Sequence, residues 1–271
     1  MIYPNRNNAH YLKERIYIIM DSFISWIGGK KALRERIIQE FPKREVYNRY
    51  IEVFGGAGWV LFSEDKLAAM EVYNDINGDL VNLFRCVKYH PDAIQAELEY
   101  IFISREQFFD AREQISIRGM TDIQRAARFY IMIKESFGSD LRSFGVRPRD
   151  LKKATAYLNI VSDRLNNVVI ENQDYQQIIK TYDRENALFY LDPPYYEAEG
   201  YYSNRFSLND HIRLKESLDS INGKFLLSYN DCDYIRGLYD EYIIIEVDRL
   251  HNLSKDKVKP IYKELIIKNY K

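Results

Sequence analysis

Five apolar residues in a row, Ala187 to Leu191, run without a break into Asp192-Pro193-Pro194-Tyr195. The run is too short for a buried helix and reads as a buried strand. Proline carries no N–H and fixes φ, so a central strand cannot continue through two of them. A strand end with an acid at its tip is therefore expected here. In open α/β sheets, ligands bind outside the carboxyl ends of the strands. An ordinary Pro-Pro turn is the plainer reading of the four letters alone.

The surroundings support a sheet of that kind. Lys31 to Phe41 reads as a helix closed by Pro42, and Tyr50 to Phe54 as a strand stopping at Gly55-Gly56-Ala57-Gly58. Trp59 to Glu64 looks helical, Glu71 to Tyr73 is a strand ending at Asn74-Asp75, and Gly78 to Lys88 is a helix. The alternation resumes with strands at Val168 to Glu171, Ala187 to Leu191 and Phe225 to Tyr229, and a helix at Leu208 to Ile221. Strand, loop and helix in this order predict a parallel sheet with covering helices. Tyr242 to Val247 and Tyr262 to Lys268 lack a long helix between them, which predicts an antiparallel pair at the sheet end.

The middle of the chain breaks the pattern. It holds helix-like stretches at Pro91 to Phe102 and Asp122 to Ser136, then a segment rich in Gly, Ser and Arg. We expect an N-terminal extension over 1–22, a catalytic domain over 23–88 and 164–271, and a mainly helical insert over 89–163. The first residues are too charged around Lys13, Glu14 and Arg15 for a signal peptide, and Met20 would serve as a native start.

Composition excludes some classes. No apolar run approaches the roughly 20 residues of a membrane span. The formal net charge is −1, so a polyanion partner would need a local basic patch. Cys86 and Cys232 sit in no motif and read as reduced thiols of a cytoplasmic protein. His10, His90, His211 and His251 are scattered, so no metal site is expected. The 23 tyrosines suit wet interfaces and base stacking, although an AT-rich coding sequence would produce them equally.

Four further motifs carry chemistry. Glu52-Val53-Phe54-Gly55-Gly56-Ala57-Gly58 follows the first strand, where glycines let backbone approach a nucleotide-like ligand. It lacks the third glycine of a dinucleotide fingerprint and the Lys-Ser/Thr of a P-loop. Asp75, after the next strand, suits ribose hydroxyls or a helix cap. Trp26-Ile27-Gly28-Gly29-Lys30 puts an aromatic ring and a cation before a helix, as a ligand lid or as a core anchor and turn. Asp174-Tyr175 follows another strand and suits an adenine contact or an N-cap. Arg142, Arg147, Arg149, Lys152 and Lys153 form a basic patch, either a DNA reader or a solvated loop. A second basic stretch holds Lys255, Lys257, Lys259 and Lys263. At the tetrad, the Asp192 carboxylate and the Pro193 carbonyl are two acceptors. They could hold both hydrogens of an exocyclic amine and free its lone pair, while Tyr195 stacks on the base.

In this order, the motifs resemble those of the DNA adenine methylase (Dam) family. The resemblance runs from Phe23 to Tyr270 and rests on Trp26 to Lys30, Glu52 to Gly58, Asn74 to Asn77, Asp192 to Tyr195 and Ser228 to Asp231. It implies a Rossmann-like methyltransferase sheet and transfer of a methyl group from S-adenosylmethionine to N6 of a flipped-out adenine in duplex DNA. S-adenosylhomocysteine would be the product. It further implies that Trp26, Lys30, Glu52, Phe54, Gly56, Gly58, Asp75, Asp174, Tyr175 and Asp192 surround the cofactor. Asp192, Pro193, Pro194 and Tyr195 would hold the target base. The insert, with Arg142, Arg147, Arg149 and Lys152, would contact DNA. The enzyme is expected in the cytoplasm, as a monomer or weak dimer without a metal. Restriction–modification, phage protection and replication or repair marking all fit. N4-cytosine methyltransferases more often carry Ser in place of Asp192, which favours adenine.

Overall fold

The structure, a computed structural model, describes residues 20–145, 151–197, 206–250 and 261–271. Seven strands form one sheet: β1 (Arg49–Glu52), β2 (Met70–Asn74), β3 (Val168–Glu171), β4 (Ala187–Leu191), β5 (Lys224–Asn230), β6 (Ile243–Leu250) and β7 (Ile261–Lys268). Their order is β3-β2-β1-β4-β5-β7-β6. The pairs from β3 to β5 are parallel, and β7 is antiparallel to both β5 and β6. The expected Rossmann-like methyltransferase sheet with an antiparallel end is therefore present. The last strand of the chain is not its edge, because β7 slots between β5 and β6.

Side-chain alternation sends neighbouring residues of each strand to opposite faces. One face buries Tyr50, Tyr73, Leu188, Tyr190, Leu226 and Ile266. These pack with residues of α1 (Arg34–Gln39), α2 (Gly78–Tyr89), α3 (Pro91–Glu99), α5 (Asp122–Glu135) and α6 (Leu151–Leu165). The other face buries Ile51, Val72, Phe189, Phe225, Leu227 and Ile267 against α7 (Tyr175–Tyr182), α8 (Leu208–Asp219) and α9 (Asp233–Leu238). β4 is central and buried at all five positions, which explains its unbroken apolar run.

The helices of the middle region join this arrangement. α5 carries a Thr121–Gln124 capping box and a broad apolar face, and it packs beside α2 in the same core as the sheet. α4 (Arg105–Gln114) buries only Phe108 and Ala111. Its apolar stripe is too narrow for periodicity to reveal. Two helical expectations shorten by about half. Lys31 to Phe41 becomes the six residues of α1, which start without a side-chain cap. Trp59 to Glu64 becomes a 3₁₀ turn at Leu61–Ser63, all buried, tightened by the Ser63 hydroxyl donating to the Val60 carbonyl at 2.6 Å.

Candidate active site

The chain leaves β1 towards β2 on one side, and β4 towards β5 on the other. The carboxyl ends of β1 and β4 therefore diverge, which opens a crevice between them. The glycine turn forms one wall. Gly55 donates to the Asn74 carbonyl at 2.7 Å, and Tyr73 hydroxyl donates to the Gly56 carbonyl at 2.7 Å. A Cβ on Gly55 would lie 2.2 Å from the Tyr73 ring, and Gly56 has a left-handed φ of +49° with Trp26 against it. Only glycine allows this backbone to lie so flat.

Asp75 continues the wall from the end of β2. Its carboxylate accepts from the Gly56 amide at 2.9 Å and the Asn77 amide at 2.8 Å. Burial pushes this carboxyl above its usual value, and the amides of Asn77, Gly56 and Ile76 pull against that shift. The cap of α2 is Asn77 instead, whose side chain accepts from Asp79 and Leu80. Asp75 is thus left facing the crevice.

Lys30 and Asp192, 162 positions apart, meet at its floor. The Lys30 ammonium lies 2.7 and 2.8 Å from the two carboxylate oxygens of Asp192 and donates to the Gly28 carbonyl at 2.9 Å. Lys30 is 3% exposed and Asp192 17%. Glu52, at the tip of β1, is buried and accepts from the Tyr50 hydroxyl at 2.6 Å. Burial pushes its carboxyl up to about 8, against the Tyr50 bond and the Leu61 amide, and the nearby Asp192 charge adds to the rise.

Together these segments enclose a cavity of about 330 Å³, within the usual range of small-ligand sites. Trp26, Lys30, Glu52, Phe54, Gly56, Asp75, Asp192 and Pro194 line it. Gly58 lies outside the lining and serves the turn, at a φ of +69° against Phe62. Asp174 and Tyr175 also stand apart. Asp174 caps α7 and faces Arg213 at 3.5 Å, whereas Tyr175 packs on Phe54 and donates to the Asp210 carbonyl at 3.1 Å. Ile27, Trp59, Ile76, Asn77, Tyr190 and the stretch from Ser139 to Arg142 line the cavity without having been singled out for it. Ile27 lies inside the Trp26 to Lys30 motif, and Ile76 and Asn77 inside Asn74 to Asn77, while Trp59 directly follows the glycine turn and no local motif marks Tyr190.

Arg142 arrives from the Gly- and Ser-rich segment, which folds back over the cavity. Ser139 and Leu141 both hold left-handed φ values, and the Asp140 carboxylate accepts from the amides of Arg142 and Ser143. Arg147 and Arg149 lie outside the described residues, as do Lys255, Lys257 and Lys259. Lys152 and Lys153 are described only as the first turn of α6. In the tetrad, Pro193 is buried, and the Tyr195 ring lies beneath the Lys30 ammonium at 4.6 Å.

A family model matches residues 26–253, and its description is D12 class N6 adenine-specific DNA methyltransferase. The chain belongs to this family. It is 26% identical to the type II methyltransferase M1.LlaDCHI of Lactococcus lactis subsp. cremoris, over 96% of this chain and 99% of that one. It is 25% identical to the type II methyltransferase M.CviBI of Paramecium bursaria Chlorella virus NC1A, over 93% and 100%. It is 26% identical to the DNA adenine methylase of Haemophilus influenzae, over 90% and 92%. This N6-adenine methyltransferase is therefore an enzyme acting on DNA, with S-adenosylmethionine as the methyl donor its family implies. No described helix is long and apolar enough to cross a membrane.

The cavity's residues suit that donor. Trp26 and Trp59 and the acidic residues Glu52, Asp75 and Asp192 line it. That set matches an adenosine that also carries a sulfonium and an ammonium.

Proposed function

We propose that the cavity holds S-adenosylmethionine and that Asp192 to Tyr195 hold the target adenine beside it. The meeting of Lys30, Glu52, Asp75 and Asp192 at one strand crossover carries this reading. Asp75 would take the ribose hydroxyls, Phe54 and Gly56 the pocket wall, and Trp26 a face of the ligand. Asp174 and Tyr175 would act behind Phe54, bracing the adenine end. When bound, the donor supplies an activated methyl carbon with a neutral thioether as leaving group, so no metal is called for.

The protein's own groups do the rest. The target base leaves its duplex, because its amino group is otherwise paired and stacked. The Asp192 carboxylate and the Pro193 carbonyl accept the two N6 hydrogens. A carboxylate offers about four acceptor sites, so Asp192 can take one hydrogen while Lys30 still orients it. The nitrogen becomes pyramidal, with its lone pair aimed at the methyl carbon. As the N–C bond forms, N6 gives up one proton, for which Asp192 is the first acceptor. Positioning of this kind contributes roughly 7–11 kcal/mol to a barrier reduction.

Residues 89–163 would recognise the DNA sequence, with Arg142, Arg147, Arg149 and Lys152 as contacts. We place the enzyme in the cytoplasm, as a monomer or weak dimer. The decisive experiment replaces Asp192 by Ala and follows labelled methyl transfer to unmethylated bacterial genomic DNA. We expect a loss of roughly 100- to 1,000-fold with an unchanged circular dichroism spectrum, on the scale of other lost electrostatic contacts. Near-normal turnover would remove the assignment.

A further inference from the structure

We infer that Glu264 is a positioning residue for the target base, acting through the hydroxyl of Tyr195. Glu264 lies on β7, outside the cavity and outside every motif considered above. Its side chain is 3% exposed, and its carboxylate accepts from the Tyr195 hydroxyl at 2.6 Å. Burying a carboxylate is costly unless hydrogen bonds satisfy it. A Phe at 195 facing an apolar residue at 264 would fill the same space without that cost. What the carboxylate adds is direction, because it fixes where the phenol oxygen sits and so where the ring lies.

The anchor itself is rigid. Glu264 stands opposite Asn230 of β5 and Val247 of β6, so hydrogen-bonded strands hold its backbone on both sides. Tyr195 is then held at two points, its hydroxyl by Glu264 and its ring face by Lys30 at 4.6 Å. Lys30 also orients Asp192. One connected set, Glu264, Tyr195, Lys30 and Asp192, thereby places both the ring beside the base and the acceptor of its amino group. The phenol stays a donor, since burial, then the Asp192 and Glu264 charges, push it well above its usual value. The antiparallel strand inserted beside β5 thus has a use at the site.

This inference rests on the proposed role of Tyr195 at the base. The test compares Glu264→Gln, Glu264→Ala, Tyr195→Phe and the double variant Glu264→Gln/Tyr195→Phe. Steady-state methyl transfer to unmethylated bacterial genomic DNA gives kcat and the KM for DNA. Calorimetry gives the affinity for S-adenosylmethionine. We expect Glu264→Gln, which keeps an acceptor oxygen, to raise the KM for DNA several-fold. Glu264→Ala should raise it about tenfold, which is 1.4 kcal/mol. Cofactor affinity should stay within twofold in both, and the double variant should be no worse than Tyr195→Phe alone. Wild-type KM and kcat in Glu264→Gln and Glu264→Ala would overturn the inference. So would equal losses of DNA and cofactor affinity, or additive effects in the double variant. If Asp192→Ala keeps its turnover, the tetrad reading fails instead, whatever Glu264 does.

Discussion

Glu52 shows how much a single side chain owes to its surroundings. In sequence it is one acid ahead of a glycine turn. In the fold it is buried at the tip of β1, and its carboxyl is pushed up to about 8, chiefly by burial. The raised value makes the folded state hold a proton that the unfolded chain releases near 4.5. The stability linked to this group is therefore complete below about 4.5 and is lost as pH rises through about 8. We predict that Glu52→Gln flattens the fall of the thermal midpoint between these limits, as measured by calorimetric scans across pH. A midpoint falling equally steeply in both proteins would contradict this. Lys30 teaches the same lesson. Its motif showed a cation before a helix, and the partner in the structure is the Asp192 side chain. Nothing near Lys30 in sequence could have identified it.

At the scale of elements, strand ends were legible because backbone chemistry is local. Val168 to Glu171 and Ala187 to Leu191 begin and end where the apolar pattern, and for the second Asp192-Pro193-Pro194, place them. Short helices were not. α1 lost about half its expected length, α4 and α9 were not anticipated, since each is brief or presents a narrow apolar side, α6 was covered only by the general expectation of a helical insert, and α7 was foreseen only as an N-cap at Asp174. The glycine turn also depends on its neighbours. Gly55→Ala would drive a Cβ into the Tyr73 ring, so we predict a loss of about 1–3 kcal/mol in denaturant unfolding, along with weaker cofactor binding. Another junction joins α6 to β2. Arg164 donates to both oxygens of Glu71 at 2.8 Å and to the Leu61 carbonyl at 2.7 Å, with both side chains nearly fully buried. Removing one partner leaves a buried charge alone, so Glu71→Ala should cost about 3–5 kcal/mol. Denaturant midpoints check this too, and a change under 1 kcal/mol would show that the pair is dispensable.

Over the whole molecule, the proposed cofactor cavity and the proposed DNA-reading segment share a wall. Ser139 to Arg142 line the cavity, and the Ser139 hydroxyl meets that of Ser25 at 2.5 Å, next to Trp26. Arg142 has its backbone carbonyl held by Arg112 at 3.2 Å. The chain's net charge is −1, so local arginines must supply the attraction for DNA. We predict that Arg142→Ala weakens DNA binding and reduces the slope of log affinity against log salt by about one. It should also change cofactor affinity, because Arg142 lines the proposed cofactor cavity. Fluorescence anisotropy at several salt concentrations and calorimetry measure the two effects, and an unchanged slope would show that Arg142 touches no phosphate.

Periodicity and punctuation in the sequence sufficed for the parallel sheet, the glycine turn at the end of β1 and the acid-tipped strand that carries the tetrad. Each of these follows from a few adjacent residues and the limits of their backbones. Tertiary structure alone decided that β7 lies inside β6, that Asp192 pairs with Lys30, that Arg142 reaches the cavity, and that Tyr195 rests on Glu264. Those choices join positions far apart in the chain, and what selects them is the packing of side chains and the need to satisfy buried charges.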